Sequence, residues 1–423
     1  MAKRLTALDA FRGMTIALMI LVNTPGTWAF VFPPLRHATW HGWTPTDLVF
    51  PFFLFIVGVS MFFSFKKYDH QLSRKSIEKI LLRTIAIFVV GLLLNAFPKS
   101  IAAHHLVWKI LFGICLVGWL TMPLWKNRFK PTLVRSLEWL FLLGLLGLFL
   151  LTLGGNNLRV FGVLQRIALA FGFGAFICLS FKNKRLWYVL AAILVGYWLI
   201  MIGFGDLSLE GNFQRILDLA ILGDAHMYHG YIDKTGNKIA FDPEGILSTL
   251  PAIGNVILGF LAGKIISENK DKRTAVLYLM LLGFPLMILA YLWNPFFPIN
   301  KPIWTSSYVL HTCGLGMMIL GLSLYFLDIK ERKAWATPFV VFGLNPLFIY
   351  ALSSISVKIL LYWIRIPSGD GGTLNGYQAL YQNLFVNIAG NNEWASLLFA
   401  LFYVFLHWVV ALLLYKRRIF IKV

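Results

Sequence analysis

The sequence predicts an all-α, polytopic integral membrane protein of about twelve transmembrane helices, with both termini in the cytoplasm. Composition is the first observation: hydrophobic residues make up 58% of the 423-residue chain and charged residues only 13%. Soluble domains carry about a quarter charged residues. The second is length, because the apolar runs approach the roughly 20 residues that a helix needs to cross the hydrocarbon core. The third is charge, because lysine and arginine gather in alternate connecting loops.

The spans are expected to be helices, because lipid offers no hydrogen-bond partner to an unpaired backbone group. The apolar runs are also too long for the roughly 10-residue alternating strands of an outer-membrane barrel. The predicted spans are 11–31, 46–65, 79–97, 105–124, 136–153, 163–181, 186–204, 246–266, 274–292, 305–327, 336–362 and 394–415.

The first apolar run resembles a signal peptide, since Lys3 and Arg4 precede it. Asp9 and Arg12 interrupt the run, however, and no small-residue cleavage site follows. We therefore expect an uncleaved first span.

Orientation follows from the basic residues of the loops. Positive charge in short loops resists translocation, so the basic loops are expected to be cytoplasmic. In this arrangement the cytoplasmic segments carry Lys3 and Arg4, Lys66 to Arg83, Lys126 to Arg135, Lys182 to Arg185, Lys264 to Arg273, Lys330 to Lys333, and Lys416 to Lys422.

Two segments depart from the simple alternation of spans and loops. Residues 205–245 are the longest polar stretch, and within it apolar residues from Phe213 to Leu222 recur at helical spacing. This pattern predicts a short amphipathic helix at the outer membrane surface. Residues 100–156 are expected to contribute an additional helical hairpin.

Charge and cysteine content exclude two classes of function. The formal net charge is +20, but the basic residues separate membrane spans rather than gather on one face, as nucleic-acid binding requires. Cys115, Cys178 and Cys313 lie far apart within apolar runs, where cysteine usually behaves as a small hydrophobic residue. We expect neither a nucleic-acid partner nor a bound metal.

One polar segment, residues 36–47, precedes the second span and contains two histidines, His37 and His41, and one carboxylate, Asp47. A histidine can transfer a proton or attack a carbonyl, and a neighbouring carboxylate can orient the imidazole. The alternative is a solvated interfacial histidine within an outer belt of tryptophans. Composition does not choose between the two histidines.

Polar residues within or beside the spans form a second group of candidates. Ionisable groups at membrane depth are costly and tend to face a cavity or a partner. Arg166, with Gln165 beside it, is suited to clamping a polar ligand. The alternative is hydrogen bonding between helices, which we favour for Asn255 and His407. The group consists of Asp9, Arg12, Asn23, Gln165, Arg166, Asn255, His311, Asn345 and His407.

A third candidate is the carboxylate pair Asp242 and Glu244, which lies just before the eighth predicted span. The helix dipole favours negative charge at this position, so N-terminal capping accounts for one of the two. Two carboxylates in an outer vestibule would also attract a substrate that carries an ammonium group.

Several short motifs, taken together and in order, resemble the heparan-α-glucosaminide N-acetyltransferase family of transmembrane acetyltransferases, especially its bacterial members associated with amino sugars. The resemblance covers nearly the whole chain, and no single motif carries it alone. The motifs are Leu8-Asp9-Ala10-Phe11-Arg12-Gly13, His37-Ala38-Thr39-Trp40, Thr46-Asp47-Leu48-Val49-Phe50-Pro51, Gly162-Val163-Leu164-Gln165-Arg166, Leu222-Gly223-Asp224-Ala225-His226-Met227-Tyr228, Asp242-Pro243-Glu244-Gly245-Ile246, Ala262-Gly263-Lys264, Trp304-Thr305-Ser306-Ser307-Tyr308 and Gly343-Leu344-Asn345.

The resemblance implies a single transmembrane acyltransferase domain, 1–423, that moves an acetyl group from cytoplasmic acetyl-CoA to the amine of glucosamine or a terminal glucosaminide on the far side. It places His37 and Asn23 on the family's active-site histidine and asparagine, with Asp47 assisting His37 as general base or acetyl carrier. The expected contacts to acetyl-CoA are Arg12, Lys264 and Asn345. The expected contacts to the acceptor are Gln165, Arg166, His226, Asp242 and Glu244.

The resemblance also implies a multi-pass protein of the bacterial inner membrane, with membrane lipid around it and a homodimer as the assembly it suggests. We expect the lumenal domain of the animal enzymes to be absent, which makes a polysaccharide substrate less expected. The alternatives are a twelve-helix sugar transporter, an O-acyltransferase of an envelope glycan or lipid, and a non-enzymatic assembly protein.

Overall fold

The computed structural model describes residues 5–97, 106–125, 129–152, 158–182, 184–367 and 372–421. Helices are the main secondary structure of these residues, and their β-structure consists of two short antiparallel hairpins and two isolated bridges. Within these ranges, nine helices are long and apolar enough to cross a membrane, or ten if one bent pair counts as a span. A multi-pass membrane protein is therefore confirmed, while the count of twelve and the sides of the termini stay predictions.

The described residues form fourteen main α-helices. They are α1 Thr6–Asn23, α2 Val49–Phe65, α3 Arg74–Ala96, α4 Leu106–Trp125, α5 Pro131–Thr152, α6 Val163–Ser180, α7 Lys184–Phe204, α8 Phe213–Leu222, α9 Thr249–Glu268, α10 Lys272–Trp293, α11 Ser306–Ser323, α12 Thr337–Gly343, α13 Pro346–Tyr362 and α14 Glu393–Lys416.

Short elements connect these helices. The 3₁₀ turns are Pro33–Leu35, Pro45–Leu48, Lys66–Tyr68, Asp224–His226 and Ala334–Ala336, and π-helical turns are Leu324–Ile329 and Tyr381–Val386. Two short helical segments, Gly376–Leu380 and Asn387–Ala389, precede α14. The hairpins pair β1 Tyr231–Ile232 with β2 Lys238–Ile239, and β3 Arg365–Pro367 with β4 Thr373–Asn375.

The chain divides into two compact units. The first comprises residues 1–71, 177–198 and 250–423, and the second comprises residues 72–176 and 199–249. The first unit contains the histidine segment, whereas the second contains the Asp242 and Glu244 pair. The expected single domain stays a prediction.

Helices of the first unit approach one another closely at glycines. A Cβ atom at Gly58 of α2 would lie 2.1 Å from the carbonyl oxygen of Val256 in α9. Conversely, a Cβ atom at Gly259 would lie 2.0 Å from the carbonyl oxygen of Phe55. Small residues allow such contact between membrane helices, where van der Waals packing replaces the hydrophobic effect as the driving force. This contact fixes α2, which begins two residues after Asp47.

The predicted span 336–362 is a broken helix. Helices α12 and α13 meet at an angle of 73°. Pro346 starts α13, and Asn345 before it has a non-helical backbone. Proline lacks the N–H that would continue the helix from α12, so the bend falls at this position. The apolar run continues through this position, so the sequence predicted one continuous span without a bend.

In the second unit, helices α4 and α5 occupy the segment where a hairpin was expected. Phe112 of α4 and Phe149 of α5 pack edge to face, and both join a buried cluster with Val89 and Leu92 of α3. The expected residues 100–105, 126–128 and 153–156 lie outside the described part of the chain.

The short helix predicted within 205–245 is α8. It buries its polar face and exposes its apolar face, which is the reverse of a surface helix in a soluble protein. Gln214 and Asp218 are fully buried, whereas Ile216 and Ile221 are 45% and 59% exposed. An apolar outer face is what a helix at a membrane surface presents to lipid. The polar face is therefore directed toward the protein.

Candidate active site

The segment that carries His37 is held in place by the start of α2. Pro45 begins a 3₁₀ turn, and Asp47, two residues later, accepts hydrogen bonds at Oδ2 from the N–H and hydroxyl of Thr44, at 3.0 and 3.1 Å. The hydroxyl of Thr44 also donates to the carbonyl of Arg36 at 2.6 Å. Asp47 Oδ2 thus binds the loop residue Thr44, and Asp47 Oδ1 faces His37.

His37 and Asp47 form a hydrogen-bonded pair. His37 Nδ1 lies 2.6 Å from Asp47 Oδ1, and the N–H of Ala38 donates to Asp47 Oδ2 at 3.0 Å. The Asp47 side chain is 1% exposed, whereas that of His37 is 45% exposed. When Nδ1 carries the proton it donates to Asp47, and Nε2 then has the lone pair. This arrangement of an exposed imidazole and a buried carboxylate suits proton transfer or nucleophilic attack.

Lys301 completes this group, and the sequence analysis did not single it out. Its Nζ lies 3.0 Å from His37 Nδ1, 3.3 Å from His37 Nε2 and 3.5 Å from Asp47 Oδ1. Lys301 is 264 residues from His37 along the chain. The nearest signal was the motif at residues 304–308, which begins three residues after Lys301.

The turn before α11 positions Lys301. The N–H of Asn300 donates to the hydroxyl of Thr305 at 3.0 Å, and the N–H of Trp304 donates to the carbonyl of Lys301 at 3.0 Å. Trp304 adopts a left-handed backbone, with φ of 48°. The Tyr308 hydroxyl in α11 donates to the carbonyl of Asp47, which ties this turn to the histidine segment.

His41 has a different environment from His37. Its Nδ1 lies 3.2 Å from Asn300 Nδ2, which donates to it, and burial lowers the pKa of His41. The N–H of Gly42 donates to the carbonyl of Ile299 at 2.7 Å. The structure therefore pairs the carboxylate with His37 and assigns His41 a contact with the Asn300 turn.

Asn23 is the last residue of α1, and its side chain is exposed. Among the residues described, no hydrogen bond joins it to His37 or Asp47. Its expected catalytic role stays a prediction.

Two of the three residues expected at acetyl-CoA make contacts that join chain segments. Arg12 donates to the hydroxyl of Ser60 in α2 at 2.6 Å and to the carbonyl of Gly343 in α12 at 3.2 Å. Asn345 is fully buried. Its amide donates to the carbonyl of Ile419 at 3.0 Å, and its oxygen accepts from the N–H of Ile421 at 2.7 Å.

Lys264, the third of these residues, is partly exposed near the end of α9. Its Nζ lies 3.8 Å from a carboxylate oxygen of Glu268, one turn further along the same helix. This is a long and solvent-screened contact, and such pairs contribute little to stability. The structure therefore leaves its expected role open to test.

The carboxylates of Asp242 and Glu244 in the second unit are bound by Arg159. Arg159 donates from Nε and Nη2 to Asp242 at 2.9 and 2.7 Å, and from Nη2 to Glu244 at 2.6 Å. Its guanidinium also lies 4.7 Å from the ring centre of Tyr228. Burial alone would lower the pKa of Arg159, but both carboxylates outweigh it and raise that pKa. Sequence reasoning missed Arg159, which is separated from Asp242 by 83 residues.

Arg166 and Gln165 are buried at the start of α6. Arg166 donates to the carbonyl of Gly245 at 3.3 Å and to the hydroxyl of Ser248. A Cβ atom at Gly91 would lie 2.5 Å from Gln165 Oε1, so the glutamine packs directly on the α3 backbone. In the described ranges, Gln165 Nε2 has no hydrogen-bond partner.

The remaining candidate of this unit is His226. Its Nδ1 donates to the carbonyl of Leu158 at 2.9 Å, and the N–H of Val160 donates to the carbonyl of His226 at 3.2 Å. His226 therefore joins residues 158–160 to the turn that follows α8.

Asp218 on the buried face of α8 is a neighbour of these groups. Its Oδ1 accepts from the N–H of Ile246 at 2.9 Å. Burial raises its pKa to about 7, the negative charge of Asp242 acts in the same direction, and the hydrogen bond from Ile246 opposes the shift.

Comparison with known proteins shows what the sequence is similar to. Residues 4–153 match the family model described as heparan-alpha-glucosaminide N-acetyltransferase, catalytic. The chain is 24% identical to the mouse heparan-alpha-glucosaminide N-acetyltransferase over 473 positions, covering 100% of this chain and 61% of that protein. It is 25% identical to the human protein of the same name over 470 positions, covering 99% of this chain and 60% of that protein. The chain is a relative of these N-acetyltransferases.

The resemblance to the heparan-α-glucosaminide N-acetyltransferase family is thus confirmed. The matched residues 4–153 include Arg12, Asn23, His37 and Asp47 but not Lys301. The chain spans about three fifths of the length of the mouse and human N-acetyltransferases, 61% and 60%.

Proposed function

We propose that the protein is a transmembrane N-acetyltransferase. It moves the acetyl group of cytoplasmic acetyl-CoA to the amine of glucosamine, or of a terminal glucosaminide, on the extracytoplasmic side. The single observation that carries this proposal is the 2.6 Å contact between His37 and buried Asp47, within the residues matched by the catalytic family model.

The pair supports two chemical routes. In the first, His37 Nε2 takes a proton from the acceptor amine as the nitrogen attacks the thioester carbon, and coenzyme A leaves as its thiolate. In the second, Nε2 attacks first, forms an acetyl-imidazole, and passes the acetyl group to the amine. Asp47 fixes the ring in both routes, and Asn23 is proposed to assist by polarising the thioester oxygen.

The two substrates approach from opposite sides in this scheme. The nucleotide of acetyl-CoA stays near the cytoplasmic face, where Arg12, Lys264 and Asn345 are the proposed contacts, and the thin pantetheine arm carries the acetyl group inward. No charged group then has to cross the bilayer core, which avoids a large energetic cost.

The proposed contacts to the acceptor lie in the second unit. They are Gln165, Arg166, His226, Asp242 and Glu244. Because Arg159 binds both carboxylates, any attraction of Asp242 and Glu244 for an ammonium is reduced by the charge of that guanidinium.

The same proposal includes the cellular location of the protein, its assembly and its cosubstrate. The protein is a multi-pass component of a bacterial inner membrane, surrounded by lipid, and forms a homodimer. It uses acetyl-CoA as a cosubstrate and requires no metal. Chemical crosslinking in native membranes tests the dimer, and fractionation of inner from outer membranes tests the location.

The experiment is acetylation by the purified full chain in lipid nanodiscs, with labelled acetyl-CoA and glucosamine. Mass spectrometry identifies an amide product, whereas an ester would indicate an O-acyltransferase. His37→Ala is expected to abolish transfer, and His229→Ala, an exposed histidine paired with Asp224, is the matched control. Near-normal acetylation by His37→Ala contradicts the proposal. Parallel double-reciprocal lines support the acetyl-imidazole route, and intersecting lines support direct transfer.

A further inference from the structure

The charges around His37 are balanced only when Lys301 is counted. Asp47 accepts five contacts, all from groups that can donate a hydrogen bond, and such surroundings favour the ionised carboxylate. The proposed base is the neutral form of His37, so the charges of His37, anionic Asp47 and cationic Lys301 sum to zero before reaction. During the proposed transfer, His37 becomes an imidazolium while the thioester oxygen becomes an anion. The sum is again zero, provided that Lys301 keeps its charge.

Lys301 lies beside the nitrogen of His37 that would receive the amine proton. Its Nζ lies 3.3 Å from His37 Nε2, which is the nitrogen left to accept the amine proton because Nδ1 faces Asp47. An acyl group whose attacking amine contacts Nε2 therefore lies within reach of the ammonium. Such a juxtaposition of base and positive donor is what acyl transfer requires.

The ammonium is also held before substrate arrives. The Lys301 side chain is 20% exposed, and the bonds from Asn300 to Thr305 and from Trp304 to Lys301 fix its turn. Donors fixed in advance stabilise a developing charge more effectively than water does, because they need no reorganisation during the reaction.

We infer that Lys301 is a catalytic residue whose ammonium donates a hydrogen bond to the thioester oxygen as that oxygen becomes an anion. This inference rests on the proposed function. In the step, the amine nitrogen bonds to the thioester carbon, and the carbon–sulfur bond breaks. The amine proton passes to His37 and then to the departing thiolate. Lys301 gains and loses no proton, so the products are the N-acetyl sugar and coenzyme A.

The test compares Lys301→Met with Lys301→Arg in the full chain in nanodiscs. Removing one donor to an oxyanion lowers kcat by about 100- to 1000-fold, and we expect this for Lys301→Met. The KM values for both substrates should stay within about 3-fold, since the lost interaction is made in the transition state. Lys301→Arg retains the positive charge and should keep about a tenth of the activity or more. Lys234→Met, at an exposed turn, is the control for loss of a lysine.

A Lys301→Met variant with wild-type kcat overturns the inference, and so does one that raises KM and leaves kcat unchanged. If Lys301→Met does not fold, as judged by its thermal midpoint, the activity of Lys301→Arg tests the inference instead. If Lys301→Arg retains a tenth of the wild-type activity, the inference is supported. If it loses as much activity as His37→Ala, the inference is overturned. The proposed function fails separately, if the wild-type chain makes no N-acetylglucosamine or if His37→Ala remains active.

Discussion

Arg159 and Asp242 form a two-point ion pair in which Nε and Nη2 of the arginine lie 2.9 and 2.7 Å from the two carboxylate oxygens. The Asp242 side chain is fully buried, and that of Arg159 is 27% exposed. The pair joins the residues before α6 to those before α9. It also means that the carboxylates expected to attract a cation already have one beside them.

Loss of this arginine should destabilise the protein strongly. Removing one partner of a buried pair leaves an uncompensated charge, at a cost of about 3–5 kcal/mol. Arg159→Ala should therefore lower the thermal midpoint in detergent. Arg135→Ala is the control, because the Arg135–Glu78 pair is exposed and such pairs contribute about 0–1 kcal/mol. Equal midpoints for the two variants would contradict the assignment.

The orientation of His37 should depend on the charge of Asp47. Asp47→Asn keeps an oxygen near the loop amides but removes the anion that holds the imidazole, and acid–base catalysis contributes typically about 10²–10⁴-fold to rate. We expect a loss of kcat within that range in the acetylation assay. Thr44→Val removes the hydroxyl contacts to Asp47 and to the carbonyl of Arg36 but keeps the carboxylate anion, so it should cost far less. A Thr44→Val loss that matches Asp47→Asn would indicate a loop effect instead.

Asp218 should make stability depend on pH. Its pKa in the folded protein is about 7, above the usual 3.8. The folded state then holds a proton that the unfolded state has released, so stability falls as pH rises from about 4 to about 7, by about 4 kcal/mol at most. Thermal midpoints of the wild type should fall across this window, and Asp218→Asn should fall less. Identical slopes for the two proteins would refute the assignment.

A side chain at Gly58 should destabilise the protein, because α2 and α9 are in direct contact there. A methyl group there would meet the carbonyl of Val256 at 2.1 Å, and forcing such overlap costs typically about 1–3 kcal/mol. Gly58→Ala should lower the thermal midpoint. Gly196→Ala in α7 is the control, since no atom lies within 4 Å of its added methyl. A neutral Gly58→Ala variant would show that the helices separate at little cost.

Several features could be predicted from local sequence. The helical class follows from apolar runs. Local sequence placed Asp47 near two histidines, and the family resemblance selected His37, which the structure pairs with Asp47. Local sequence also indicated the hydrogen-bonding roles of Asn255, which accepts from Trp304, and His407, which lies 3.3 Å from Ser356.

Other features depend on contacts between distant segments. Lys301 and Arg159 each meet their partners across long stretches of chain, and a single basic residue in a connecting loop carries no local sign of such a contact. The buried face of α8 was unpredictable for a different reason: periodicity shows that a helix has two faces, but not which one packs against the protein. The bend at Asn345 was signalled by Pro346, but the apolar run continued through it.

The bent junction at Asn345 has a practical implication for protein engineering. Both hydrogen-bonding groups of this amide are satisfied by main-chain atoms of Ile419 and Ile421, beyond the end of α14. A variant truncated after Tyr415 would lack both partners, and the buried Asn345 side chain would lose both hydrogen bonds. Affinity handles are therefore better joined through a spacer after residue 423 than exchanged for the final residues.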